Sequence, residues 1–240
     1  MSGEPINLIT VCTQQYPMIY PEVLHRRFTE LSSLDVSHYC LTDRPNEVGE
    51  WASPLEPEKL SSGWWNKVNL FGSQMPEGWL LYMDLDIVIC ENFDDEIRSI
   101  IAQNVPINCV SDAVNWMDVK FSSSLMLLKK NAAPHVFENF VANEPSLINR
   151  EGGDQVWVGP QLDAVNYMDE TFPNLKKNLK FHLADQVDGK FAFPMELPKG
   201  VKLVDCGGRP KPHDLAALPY IRGAWHDIAA QYMSLPSRQN

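Results

Sequence analysis

Apolar residues along this chain come in short blocks that alternate with stretches of helical spacing. Residues 6–12 (INLITVC) form the first block, ended by polar Thr13 and Gln14. A run of roughly four to eight apolar residues bounded by polar turns predicts a buried strand. The same reading predicts strands over 36–42, 79–83, 107–110 and 124–128. Between the strands, apolar positions recur at steps of three and four. Val23, Leu24, Phe28 and Leu31 predict a helix over 22–34. Further helices are predicted over 61–71, 94–103 and 132–141, the last with Asn131 as its cap. A Pro-rich loop fills 44–57, and Pro76-Glu-Gly78 is a turn. Strands alternating with helices predict an α/β architecture, with a Rossmann-like, mostly parallel central sheet flanked by helices. Beyond Gly152 the alternation lapses and prolines accumulate, which predicts an irregular C-terminal part rich in ordered loops. No repeat or linker interrupts the pattern, so one domain is expected over 1–240, with a polar tail (234–240) that frays.

Composition narrows the function classes. The 240 residues are 44% hydrophobic and 21% charged, which excludes a largely disordered chain. A net charge of −11 argues against a face dedicated to nucleic-acid phosphates. A membrane-spanning helix needs roughly 20 consecutive apolar residues. The most apolar stretch, 79–90, is shorter than that and carries Asp84 and Asp86, so no transmembrane segment is expected. The N-terminus lacks the basic head and apolar core of a signal peptide. Five scattered cysteines without a C-x-x-C pair suit a reducing compartment, so a cytoplasmic location is expected.

The most informative segment is Gly78-Trp-Leu-Leu-Tyr-Met-Asp-Leu-Asp-Ile-Val-Ile-Cys-Glu91. Burying an unpaired carboxylate costs several kcal/mol. Residues i and i+2 of a strand project to one side, so Asp84 and Asp86 are expected to point together. Like charges at that separation repel unless a cation lies between them, and a hard divalent ion such as Mg²⁺ or Mn²⁺ relieves the repulsion. The plainer alternative is a pair of aspartates that end a strand and bond a turn. Ligands in open α/β sheets gather at the carboxyl ends of strands, where this pair falls.

Tyr82-Met-Asp-Leu-Asp86 resembles the D-x-D segment of nucleotide-sugar glycosyltransferases of the GT-A fold, of the glycogenin and galactosyltransferase-like kind. Ile9-Thr-Val-Cys12, Gly63-Trp-Trp-Asn-Lys67, Phe121-Ser-Ser-Ser-Leu-Met126, Gly153-Asp-Gln155 and Gly208-Arg-Pro-Lys-Pro-His213 resemble other segments of that family in the family's order. The resemblance implies a GT-A domain with a nucleotide-binding half over about 5–110 and an acceptor half over about 111–233. It implies an enzyme that moves a sugar from a nucleoside diphosphate-sugar, by default a UDP-sugar, with Mn²⁺ or Mg²⁺ as cofactor. Asp84 and Asp86 are then the metal ligands, Asp84 sharing its contacts with the ribose. Thr10, Cys12 and Tyr16 lie where the family holds the nucleotide base, and Lys67, Arg209 and Lys211 are candidate diphosphate contacts. Asp154 is placed beside the acceptor hydroxyl as base or orienting group, against the alternative of a helix cap, and Gln155 beside the reacting sugar.

Two positions depart from the family pattern. Gly207 stands where a metal-binding His is usual, which leaves Asp205, water or His213, in that order, to complete the shell. Ser122 stands for the usual Asn that contacts the donor sugar. Trp64, Trp65 and Trp116 flank the matched segments and can stack on sugar rings. The acceptor is open: a glycan, a protein hydroxyl, a lipid-linked sugar or a modified DNA base. A second reading is a haloacid-dehalogenase-type phosphohydrolase with Asp84 as nucleophile. A third is a catalytically inactive relative that still binds nucleotide-sugar.

Overall fold

The structure is a computed structural model that describes residues 4–14 and 16–233, so the polar tail lies outside the described residues. The chain runs through β1 (Ile6–Val11), α1 (Ile19–Leu31), β2 (Val36–Leu41), β3 (Ser53–Leu55), a 3₁₀ helix (Gly63–Phe71), β4 (Trp79–Met83) and β5 (Ile87–Ile89). It continues with α2 (Asp94–Gln103), β6 (Ile107–Ser111), β7 (Phe121–Lys129), α3 (Pro134–Leu147) and α4 (Gly153–Val158). The last part holds β8 (Asn166–Tyr167), β9 (Lys176–Asn178), β10 (Asp185–Val187), β11 (Lys190–Ala192), β12 (Leu203–Asp205) and a helical stretch over 219–233.

Seven strands form the main sheet in the order β3-β2-β1-β4-β7-β6-β8. The pairs from β3 to β4 are all parallel, whereas β7 runs antiparallel to both β4 and β6. A sheet covered on both faces needs strands that are apolar throughout, and every residue of β4 is buried. On one face Trp65 stacks on Phe140 with ring centroids 5.5 Å apart. On the other, Leu24 and Phe28 of α1 pack with Phe93 and Ile97. A smaller sheet, β5-β12-β9, joins the C-terminal part to the end of β4.

The helix predicted over 22–34 lies three residues earlier and that over 61–71 is 3₁₀ over Gly63–Phe71, and three further elements differ from their prediction for a local reason. β3 lies inside the Pro-rich loop. Pro54 pairs with Cys40 at the sheet's outer strand, where a missing amide donor is tolerated. β7 starts three residues before the predicted 124, because the serines of 121–124 are buried strand residues despite their polarity. α3 starts at Pro134 rather than 132. Asn131 has φ of +61° and makes no cap, while proline suits the first helical turn. Among the described residues, no helix is long and apolar enough to cross a membrane. All five cysteines are unpaired.

α1 carries a buried histidine. His25 Nε2 lies 3.0 Å from Thr10 Oγ1, and His25 Nδ1 lies 2.8 Å from His38 Nδ1. Burial holds His25 well below its ordinary value, helped by His38, and burial also lowers His38. A histidine that resists protonation only when folded costs stability once the unfolded chain takes up the proton. Stability is therefore unaffected by this pair above about pH 6.5 and falls below it, by up to about 1.4 kcal/mol per pH unit for each ring. Urea unfolding of wild type and His25→Gln between pH 8 and pH 5 is expected to give a shallower acid limb in the variant. Parallel pH profiles would contradict the assignment.

Candidate active site

β4 ends at Met83, and Asp84-Leu85-Asp86 turns the chain into β5, with the Ile87 N–H donating to the Asp84 carbonyl at 3.1 Å. The two aspartates thus sit in a turn rather than within a strand. Both still reach the same place, because the turn is held from the side by the Asp84 N–H donating to Ser124 O at 2.8 Å. Asp84 and Asp86 line a cleft of about 350 Å³ at the carboxyl ends of β1 and β4, together with Val11, Thr13, Tyr16, Trp64, Lys67, Gly208 and Lys211.

Lys67 enters this cleft from the 3₁₀ helix. Two buried asparagines brace that helix. Asn66 bonds the backbone of Ser61 and Gly63 and the hydroxyl of Thr13, and Asn69 bonds the backbone of Lys59 and Asn66. The Lys67 ammonium then lies 2.7 Å from Asp84 Oδ1 and 3.9 Å from Asp154 Oδ2. Burial works against its charge, but Asp154 and Asp84 outweigh burial and raise its pKa. Asp84 also accepts from the buried Tyr82 hydroxyl at 2.5 Å.

Asp154 opens α4. Gly152 and Gly153 both have positive φ, and a Cβ on Gly153 would lie 2.3 Å from Trp64 Nε1, so the indole rests directly on this backbone. Asp154 is 5% exposed and accepts from Ser123. Its Oδ2 is buried without a hydrogen-bond partner. Burial raises its pKa, with Lys67 opposing. On the far side, Lys211 lies 2.5 Å from Asp86 Oδ2 and 5.6 Å from the centre of the Tyr16 ring. Burial raises the Asp86 pKa, Asp84 and Asp205 push it further, and Lys211 pulls it back.

The chain matches solved structures over nearly its whole length. It is similar to the glycosyltransferase GlyE of Streptococcus pneumoniae TIGR4, with 12% identity and a TM-score of 0.62 over 98% of this chain and 66% of that one. It is similar to the galactosyltransferase LgtC, a structure in complex with donor and acceptor sugar analogs, with 12% identity and a TM-score of 0.65 over 96% of this chain and 98% of that one. It is similar to the bifunctional WbbM, with 11% identity and a TM-score of 0.62 over 95% of this chain but only 50% of that one. This chain thus spans just under two thirds of GlyE and half of WbbM. No family model matches it, and no curated protein matches it in sequence. The fold is the GT-A fold of glycosyltransferases.

Within this GT-A fold the remaining candidates divide sharply. Thr10 faces His25 on α1, away from the cleft. Cys12 is fully buried beneath Tyr16, whose carbonyl accepts from Cys12 Sγ and Arg44 Nη2. Cys12 therefore anchors the loop that carries Tyr16. Arg209 is 85% exposed and lies with Tyr20, His213 and Trp225 around a second cleft of about 490 Å³, which shares Tyr16 and Lys211 with the first. His213 pairs with the Tyr20 hydroxyl rather than facing Asp86. Gln155 follows Asp154 on α4 and is half-buried. Trp65 is core, whereas Trp64 is 57% exposed at the cleft mouth; the side chain of Trp116 lies outside the described part.

Asp205 is a neighbour of Asp86 across the β5–β12 pair, with the Cys206 N–H donating to Asp86 O at 3.0 Å. Its carboxylate is engaged by Lys176 at 2.7 Å, by the Gly207 N–H at 2.8 Å and by Asn178. Lys176, Asn178 and Ser123 were not singled out from the sequence. The period-two spacing of 176 and 178 is the one signal available, and it lies in a segment of only three strand residues.

Lys67 is the sole lysine contacting both Asp84 and Asp154 among the described residues. Its replacement by Met leaves both carboxylates without that partner and is expected to cost about 3–5 kcal/mol at pH 8. Without Lys67 the Asp154 carboxyl, already raised by burial, rises further above its unfolded value and regains stability as pH falls, so the deficit should narrow at pH 5. Denaturant titration of Lys67→Met at the two pH values checks this; an equal deficit at both would contradict it.

Proposed function

We propose that this chain is a metal-dependent glycosyltransferase that transfers a sugar from a nucleoside diphosphate-sugar, UDP being the first nucleotide to test, to a hydroxyl acceptor. The observation that carries the reading is the convergence of Asp84, Asp86, Lys67 and Lys211 on one cleft at the carboxyl end of β4. Charge supports the cation. Asp84, Asp86 and Asp154 outnumber Lys67 and Lys211, and a diphosphate adds further negative charge, so a loaded cleft calls for an additional cation. The available side-chain donors are oxygens, which suits Mg²⁺ or Mn²⁺. Among the described residues no group of three or more metal-binding side chains is found. Two carboxylates suffice where substrate phosphates and water supply the other ligands. When bound, the ion supplies electrostatic stabilisation of the departing nucleoside diphosphate.

The chain's own residues do the remaining work. Val11 and Thr13 with the Tyr16 ring frame the nucleoside end, and Lys211 turns from Asp86 to a phosphate oxygen. Arg209 reaches the same phosphates from the rim. Lys67 keeps Asp154 ionised from 3.9 Å, and Asp154 Oδ2, which has no hydrogen-bond partner, takes the acceptor proton or orients that hydroxyl. Gln155 stands beside Asp154 for the reacting sugar. The exposed Trp64 offers an indole face to a pyranose, which favours a sugar among the acceptor classes. The nucleotide-binding half to about 110 is thus joined at the diphosphate by Arg209 and Lys211 from the acceptor half, and five unpaired cysteines favour the cytoplasm. The phosphohydrolase reading gains nothing: its motif belongs on a first strand, and here the fourth strand of the chain carries it.

Calorimetric titration with UDP is expected to give heat only with Mn²⁺ or Mg²⁺ present, and Asp86→Ala is expected to abolish it. Binding indifferent to metal and to Asp86→Ala sinks the metal assignment; binding of GDP, CDP or TDP alone corrects the nucleotide. Asp154→Asn is expected to keep UDP binding and to lower kcat by about 10²–10⁴-fold. Because the Asp154 pKa is raised, activity should fall on acidification at a higher pH than an ordinary carboxylate would give. Full turnover by Asp154→Asn would remove it from the mechanism.

A further inference from the structure

The third carboxylate beside the aspartate turn has a resident partner. Asp205 is 6% exposed and Lys176 is 7% exposed, and their charged atoms are 2.7 Å apart. The Lys176 ammonium also donates to Ser124 Oγ at 2.7 Å. Ser124 is the residue whose carbonyl accepts from the Asp84 N–H, and Asp205 is the residue before Cys206, whose N–H donates to Asp86 O. Lys176 therefore ties together the two backbone supports of the Asp84–Asp86 turn. The remaining oxygen of Asp205 accepts from the Gly207 N–H at 2.8 Å, on the glycine that lines the cleft. Unlike Asp86, whose lysine comes from the cleft wall and can turn to an incoming phosphate, Asp205 has a partner enclosed behind the turn.

We propose that Lys176 is a positioning residue that holds Asp205 out of the metal shell, so that the divalent ion takes only Asp84 and Asp86 from the protein and binds together with the nucleotide rather than before it. This rests on the metal-dependent reading above. A cation already seated on Asp205 satisfies the carboxylate that would otherwise turn towards Asp86, and a second cation beside it is repelled. An ion with two protein ligands must draw the rest from diphosphate and water, which couples the two binding events. Gly207, which removes a side-chain ligand from this place, acts in the same direction.

Titration of Mn²⁺ alone, followed by its paramagnetic resonance signal, separates the possibilities. Wild type is expected to bind Mn²⁺ at least about tenfold more weakly without UDP than with it. Lys176→Met removes the cation from Asp205 and is expected to tighten binding of Mn²⁺ alone by about tenfold or more, the size of effect expected for one ligand or its support. Lys176→Met/Asp205→Asn removes both charges and is expected to return to the wild-type affinity, within about threefold. If Lys176→Met does not fold, the double variant decides, since it leaves no unpaired buried charge. A double variant that loses Mn²⁺-dependent UDP binding by about tenfold, or a folded Lys176→Met with unchanged Mn²⁺ affinity, overturns the inference while leaving the Asp84–Asp86 site standing. Absence of any Mn²⁺ dependence in wild type overturns both.

Discussion

The Lys67 ammonium, between Asp84 and Asp154, is the contact on which the rest of the site depends. It joins the turn after β4 to the start of α4, so the two halves of the cleft meet at one charge. Removing carboxylates from water is costly, and the cost is tolerated here because each has an ammonium close by. Lys67, Lys176 and Lys211 arrive from three unrelated parts of the chain and each engages a different aspartate. The cleft is thus built from ammonium–carboxylate pairs whose members come from distant parts of the chain.

Much of the fold was legible because buried strands leave an unambiguous apolar signature. Trp79–Met83 reads as a strand for the same reason that it occupies the middle of the sheet: nothing in it wants water. The serine-rich start of β7 and the proline-bearing β3 were missed because their strand character comes from pairing partners, not from their own side chains. The C-terminal part was illegible for a related reason. Strands of two or three residues owe their existence to neighbours distant in sequence, as β12 does to β5 and β9.

The site divides along the same line. Asp84 and Asp86 stood out because charge inside an apolar run is anomalous in one dimension. Lys67 and Lys211 were reachable only through resemblance, since a lysine in sequence carries no sign of burial. Thr10 and Cys12 illustrate the opposite error. Adjacent residues at a strand end face opposite ways, and Val11 and Thr13, not their neighbours, line the cleft. Lys176 had only the period-two spacing with Asn178 to mark it, because its meaning lies in a partner 29 residues away.

The asparagine-held 3₁₀ segment has a consequence for how the site comes into being. Most of its bonds span only three to ten residues, so the shelf under Lys67 can assemble locally and early. The Lys211–Asp86 pair, by contrast, closes a span of 125 residues. The cleft therefore depends on a long-range closure that the main sheet by itself does not supply. Opening of the C-terminal segment would withdraw Lys211 from Asp86 while leaving the main sheet paired, and on the function proposed above a nucleotide bridging both sides would act as the clasp that keeps the segment shut.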